Sequence, residues 1–183
     1  MMKFAPVFLL LVSSLIACKT DDISDLDDLI DDDDDDLSGA YVTAKVNGEQ
    51  FTSLEAGLSA AFEETDTYFV ISVGAVSIST GKAKGLALAV AGVNSGQVAV
   101  GSTFTDIESE DGLGANAGYA EGPISDPGSE VDTDELLEIY IKITAIDRDS
   151  ETISGEFNFK ALDEESNVTY TITDGIFNEM PYN

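Results

Sequence analysis

A lone cysteine, Cys18, and a large surplus of carboxylates stand out as the residues whose type and placement can do chemistry. The thiol closes the stretch Leu15-Ile16-Ala17-Cys18, at the end of an apolar run from Phe4 to Ile16 that starts behind Lys3. A cysteine so placed, with small Ala17 before it, offers the one nucleophilic sulfur of the chain for covalent modification. The 36 Asp and Glu, against 8 Lys and Arg, could in pairs hydrolyse a glycoside, which needs only an acid and a base or nucleophile at a set separation. No pair is distinguished among so many. The chain has no histidine, which excludes imidazole triads, imidazole-ligated zinc and histidine proton relays. No glycine-rich loop precedes a helix with Lys-Ser/Thr, and no dinucleotide fingerprint is present. The expectation is a domain that is not an enzyme and takes no cofactor and no structural metal.

Leu15-Ile16-Ala17-Cys18 resembles the lipobox of bacterial lipoprotein signal peptides. A spanning helix needs about 20 apolar residues. This run is shorter, is interrupted by Pro6, and is followed by Thr20-Asp21-Asp22 rather than by a basic stop-transfer cluster. The resemblance implies a signal peptide over residues 1–17 and a lipidated Cys18. Buried methylenes contribute about 0.8 kcal/mol each, so more than one acyl chain tethers a protein to a membrane that it does not span. An ordinary secretory signal with an incidental cysteine and a buried helix are the competing readings. Lys19, Asp21 and Asp22 resemble the short export signal of Bacteroidota lipoproteins, which implies the outer membrane, facing the cell exterior.

Residues 18–40 are dominated by Asp, with an unbroken run from Asp31 to Asp36. Like charges at this density repel, and the few Leu and Ile between them bury too little to offset ordering, so a disordered tether is expected. Drawn out at about 3.3 Å per residue, the stretch from Thr20 to Ala40 reaches on the order of 60–70 Å. Calcium is a competing reading, but the spaced ligands of a calcium loop are missing and only diffuse cation association follows. The formal charge of −28 repels nucleic acid and anionic lipid and attracts basic proteins. With its sole thiol spent on lipid, the domain depends on packing for stability.

These ends must be joined to something folded, and from residue 41 to 183 the dominant period is two, the mark of strands. Val42, Ala44 and Val46 alternate with polar residues, Asn47-Gly48 supplies a type I′ turn, and the return strand sets Ala44 opposite Phe51. Leu54, Leu58 and Phe62 fit both a strand and one helical face, and the strand is favoured. Phe69, Ile71 and Val73 alternate, and the switch to Val76 and Ile78 points to a bulge at Gly74. Leu86, Leu88 and Val90 form a further strand, and Val98 with Val100 a short one. Residues 105–135 read as the longest loop, with one short strand around Ala115 to Ala120. Ile139, Ile141 and Ile143, then Ile153, Phe157 and Phe159, then Val168, Tyr170 and Ile172 form a three-strand meander, with a parity change at Asp174-Gly175. Asp147 to Glu151 is a solvated turn or a calcium loop, the turn being favoured. The fold expected is all-β, an antiparallel β-sandwich of eight to ten strands, with a small closed or partly open β-barrel as the alternative.

Segments Val42 to Gly48 with Phe51, Ile143 to Asp147, Ile153 to Phe159, Ile172 to Phe177 and the ending Pro181-Tyr182 are similar to those of a family of short, uncharacterised lipoproteins of Bacteroidota with a β-rich domain of unknown function. The resemblance covers Tyr41 to Asn183 and implies the same sheets, while supplying no active-site residues. The partners expected are the membrane, through the lipid, and a glycan or protein, for which Tyr68, Tyr119 and Tyr140 offer stacking surfaces in a chain without Trp. Capture of a basic protein, as by an inhibitor or immunity lipoprotein, is the alternative.

Overall fold

The computed structural model describes residues 39–93, 98–108 and 113–182. Its strands are β1 Tyr41–Val46, β2 Glu49–Thr52, β3 Leu58–Glu64, β4 Tyr68–Ser79, β5 Lys82–Val93, β6 Thr103–Phe104, β7 Gly114–Pro123, β8 Val131–Asp132, β9 Glu135–Asp147, β10 Thr152–Asp163 and β11 Val168–Pro181. They form a six-stranded sheet, ordered β2-β1-β11-β10-β9-β6, and a five-stranded sheet, ordered β3-β4-β5-β7-β8. All strand pairs are antiparallel. Neither sheet closes on itself, so the fold is the expected sandwich and not a barrel. Ile71, Val73, Leu88 and Val90 of one sheet meet Ile141 and Phe177 of the other. Each such side chain contributes about 1.5–3 kcal/mol by leaving water.

The first hairpin forms as its residues dictate. Asn47 and Gly48 take φ of 50° and 88°, and Ala44 sits opposite Phe51. The turn is also fastened to β11, since Asn47 Oδ1 accepts from the Thr171 N–H at 2.8 Å and the Asn47 N–H donates to the Thr171 carbonyl at 2.8 Å. The meander β9-β10-β11 buries Ile139, Ile141, Ile143, Ile153, Phe157, Phe159 and Ile172. Phe157 stacks between Phe159 and Phe177, with centroids 6.4 Å away on each side.

Strand β11 is bulged twice. At Asp174, φ is 53°, and the pairing with β10 slips between Phe157 and Phe159. At Glu179, φ is 46°, and it slips again between Ile153 and Gly155. Each extra residue turns the following side chains over, which returns Phe177 and then Met180 to the core. Two side chains of β10 cap the backbone that the bulges release: Asn158 Oδ1 accepts from the Asp174 N–H at 3.0 Å, and Ser154 Oγ from the Glu179 N–H at 2.8 Å.

Four expectations are corrected. Gly74 is not a bulge: β4 keeps one register through it, and Ala75 and Ser77 continue the inward face while Val76 and Ile78 point outward. Val98 and Val100 form no strand, because Val98 enters the core from a loop while Val100 is exposed in the turn before Gly101, whose N–H donates to the Ile143 carbonyl. The stretch Leu54 to Phe62 is neither one strand nor a helix. A short 3-10 turn, Glu55–Gly57, precedes β3 because a Cβ on Gly57 would lie 2.9 Å from the Val76 Cβ, leaving room only for glycine. Within residues 105–135 the short strand expected around Ala115 to Ala120 is instead the ten-residue β7, an inner strand between β5 and β8.

Candidate functional site

Cys18, Ala17, Lys19, Asp21 and Asp22 lie outside the described residues. The acidic turn after β9 is held by its own backbone. Asp147 Oδ1 accepts from the N–H groups of Asp149 and Ser150 at 2.9 and 3.0 Å, and these bonds, Ser150 first, keep its carboxyl below the usual range. Its oxygens serve the turn. Among the described residues no three of Asp, Glu and Cys converge as a metal site. Of the tyrosines offered as stacking surfaces, Tyr119 is only 1% exposed and is a core residue. Tyr68 is exposed and donates to Glu63 Oε1 at 2.6 Å.

Tyr119 belongs to a polar network at one end of the sandwich, where the inward face of β5 and β7 changes from apolar to Lys84, Lys82 and Glu121. Its hydroxyl donates to Glu121 Oε2 at 2.5 Å, while Lys82 Nζ stands 2.9 Å from Glu121 and 2.5 Å from Glu130, and Lys84 Nζ 4.0 Å from Glu121. Burial, then the bond to Glu121, pushes the Tyr119 hydroxyl far above the ordinary phenol range. Burial opposes ionisation of Glu121, but the Tyr119 hydroxyl and Lys82 outweigh it and hold the carboxyl low. Lys82 is held charged by Glu130 and Glu121. Every acid and base here is committed to another, so the network fastens β7 to β5. Glu121→Ala is expected to cost about 2 kcal/mol in urea unfolding, because the buried Tyr119 hydroxyl loses its acceptor, and Tyr119→Phe about 1 kcal/mol. Unchanged midpoints would show that the network carries no stability.

Beside this network, along β8, the surface is acidic, and Glu130, which pairs with Lys82, belongs to both. Glu130, Asp132, Asp134, Asp163 and Glu165 line a hollow of about 470 Å³. Asp163 accepts from the Ser166 hydroxyl at 2.7 Å and from the N–H groups of Glu165 and Ser166 at 3.0 and 3.2 Å. The Ser166 hydroxyl is the main reason that the Asp163 carboxyl lies below the usual range. Burial, then the charges of Asp134 and Asp163, pushes Asp132 up. A carboxyl whose pKa is lower folded than unfolded adds stability above its unfolded value and loses it as the pH falls through the folded value; a raised one does the reverse. Thermal stability is therefore expected to fall below the ordinary carboxylate range, and Asp163→Asn to flatten that acid limb. An identical limb in the variant would remove Asp163 from the account.

The outer face of the six-stranded sheet is different in kind. Register sets Tyr140 of β9 beside Asn158 of β10, Glu138 beside Lys160, and Lys160 beside Thr171 of β11. Glu138, Tyr140, Asn158, Lys160, Thr171 and Thr173 surround an open groove of about 260 Å³. Asn158 turns its oxygen to the bulge at Asp174, which leaves its NH₂ for the groove. The Tyr140 hydroxyl and the hydroxyls of Thr171 and Thr173 have no hydrogen-bond partner among the described residues. Of the eight Lys and Arg in the chain, three stand on this face, each against one carboxylate: Lys160 with Glu138 at 2.9 Å, Lys45 with Asp174 at 2.9 Å and Lys142 with Glu156 at 3.8 Å. The groove is locally neutral on a strongly anionic protein. Sequence reasoning named Tyr140 but not its neighbours, which come from three strands and meet only through the register.

Residues 39–181 match the model of a family described as a domain of unknown function, DUF6252. No curated protein and no solved structure matches the chain. Because the match runs from two residues before β1 to the last residue of β11, this chain belongs to the DUF6252 family.

Proposed function

We propose that this protein is a lipid-anchored outer-membrane lipoprotein of a Bacteroidota cell that holds a non-catalytic binding module away from the membrane, facing the cell exterior. The anchor reading is supported by Leu15-Ile16-Ala17-Cys18 behind an apolar run, and the outward reading by Lys19, Asp21 and Asp22. The single observation that carries the binding reading is the neutral groove around Tyr140, where an aromatic ring, an amide and hydroxyls without partners face solvent together. Groups of that kind recognise ligands by contact and hydrogen bonding and include no activated acid, base or nucleophile.

A second reading has its own support. The acidic hollow near Asp132 and Asp134 suits a basic protein, whose Lys and Arg would relieve the repulsion that, after burial, raises the Asp132 carboxyl. A pull-down with the purified protein on immobilised glycans and on secreted basic proteins, at low and high salt, separates the two. Retention that ignores salt supports the groove, and retention lost with salt supports the acidic end. Retention of nothing would sink the binding reading.

A further inference from the structure

We infer that the groove of the six-stranded sheet is a saccharide subsite that takes one uncharged sugar ring, stacked on Tyr140; this rests on the binding-module reading above. Size is the first argument. A hollow of about 260 Å³ lies just under the roughly 300 Å³ at which pockets for drug-sized ligands begin, and it is open to solvent, so it is of a size for one ring.

Chemistry is the second argument. A sugar ring offers an apolar face of C–H groups and a rim of hydroxyls that both donate and accept. Tyr140 is partly buried and lines the groove, and a tyrosine ring there offers a flat apolar surface. Around it stand complementary groups. The Asn158 NH₂ donates, the hydroxyls of Thr171 and Thr173 do both, and the Lys160–Glu138 pair sets a donor and an acceptor 2.9 Å apart at the rim. Two adjacent hydroxyls can bridge such a pair without leaving either charge unpaired.

Charge is the third argument, and it selects among sugars. With Lys45, Lys142 and Lys160 each matched by a carboxylate, the groove has no net charge to draw a uronate or a sulfated sugar. The field of a protein at −28 repels such polyanions besides. Basic ligands are drawn to the acidic end instead, where carboxylates outnumber lysines.

The experiment is calorimetric titration of the purified full-length chain in detergent. The probes are neutral oligosaccharides of glucose, mannose, xylose and N-acetylglucosamine, with oligogalacturonate as the anionic comparison, at low and high salt. At least one neutral oligosaccharide is expected to bind with an affinity indifferent to salt, and oligogalacturonate not to bind. Tyr140→Ala is expected to weaken binding about tenfold or more, and Tyr140→Phe far less. The double variant Thr171→Val, Thr173→Val keeps side-chain shape and is expected to weaken binding several-fold even if Tyr140→Ala disturbs the fold. Binding that all three variants leave unchanged would overturn the subsite. Failure of every neutral sugar, with a basic protein still retained at low salt, would overturn it and leave the binding module standing. Failure of both would overturn the two together.

Discussion

Alanine at Gly175 is expected to destabilise the domain by about 3 kcal/mol or more, a fall of roughly 10 °C in the thermal midpoint for a chain of this size. Gly175 follows the first bulge of β11 and faces the core, opposite Phe157. A Cβ there would lie 2.6 Å from the Phe157 ring and closer still to the Phe157 carbonyl oxygen. The ring cannot swing aside, because Phe159 and Phe177 stack on it, and the carbonyl belongs to the sheet. Relief therefore needs backbone movement at the point where β11 reverses its parity. Gly85→Ala is the control. Gly85 lies in β5 with open space where a Cβ would stand, so its substitution is expected to be neutral or slightly stabilising. Equal midpoints for the two variants would show that close approach is not what requires glycine at 175.

Cys18→Ala is expected to abolish lipid attachment and move the protein from the membrane fraction to the soluble one. The proposed anchor rests on the sulfur of the single cysteine, and the hydrophobic run before it is shorter than a spanning helix needs and is interrupted by Pro6. Intact mass and detergent phase partition read the result, and an unmodified thiol in the wild-type mature protein would end the anchor reading. Replacing Lys19, Asp21 and Asp22 together is expected to leave the lipid in place but to protect the protein from protease added to whole cells. Full digestion of that variant would remove those residues from the export signal.

The parts of the fold legible in the sequence were those where local chemistry and burial agree. Asn47-Gly48 admits positive φ at both positions, and Ile139, Ile141 and Ile143 of β9 alternate, so both are legible in the sequence. Of β7 only a short strand around Ala115 to Ala120 is legible, because Gly114, Ala115, Asn116, Ala117 and Gly118 have little strand propensity of their own. They are extended because β5 and β8 pair with β7 on either side, and its inward face is two alanines and a tyrosine. Gly74 misled in the opposite way, since apolar Val76 and Ile78 lie on the outer face and mimic a change of parity. The groove was illegible beyond Tyr140, because Asn158 and Thr171 reach it through pairings that a bulge fixes and no local pattern reports.

The first strand of the domain is completed only by the last. β1 lies between β2 and β11, and the bond from the Thr171 N–H to Asn47 spans 124 positions of sequence. A hairpin of β1 and β2 alone is too small to persist in water. The six-stranded sheet therefore cannot assemble until the carboxyl-terminal segment is available, and closure over so long a separation is slow. For a chain exported as proposed above, this arrangement would act as a safeguard, keeping the emerging polypeptide pliable until β11 has been made.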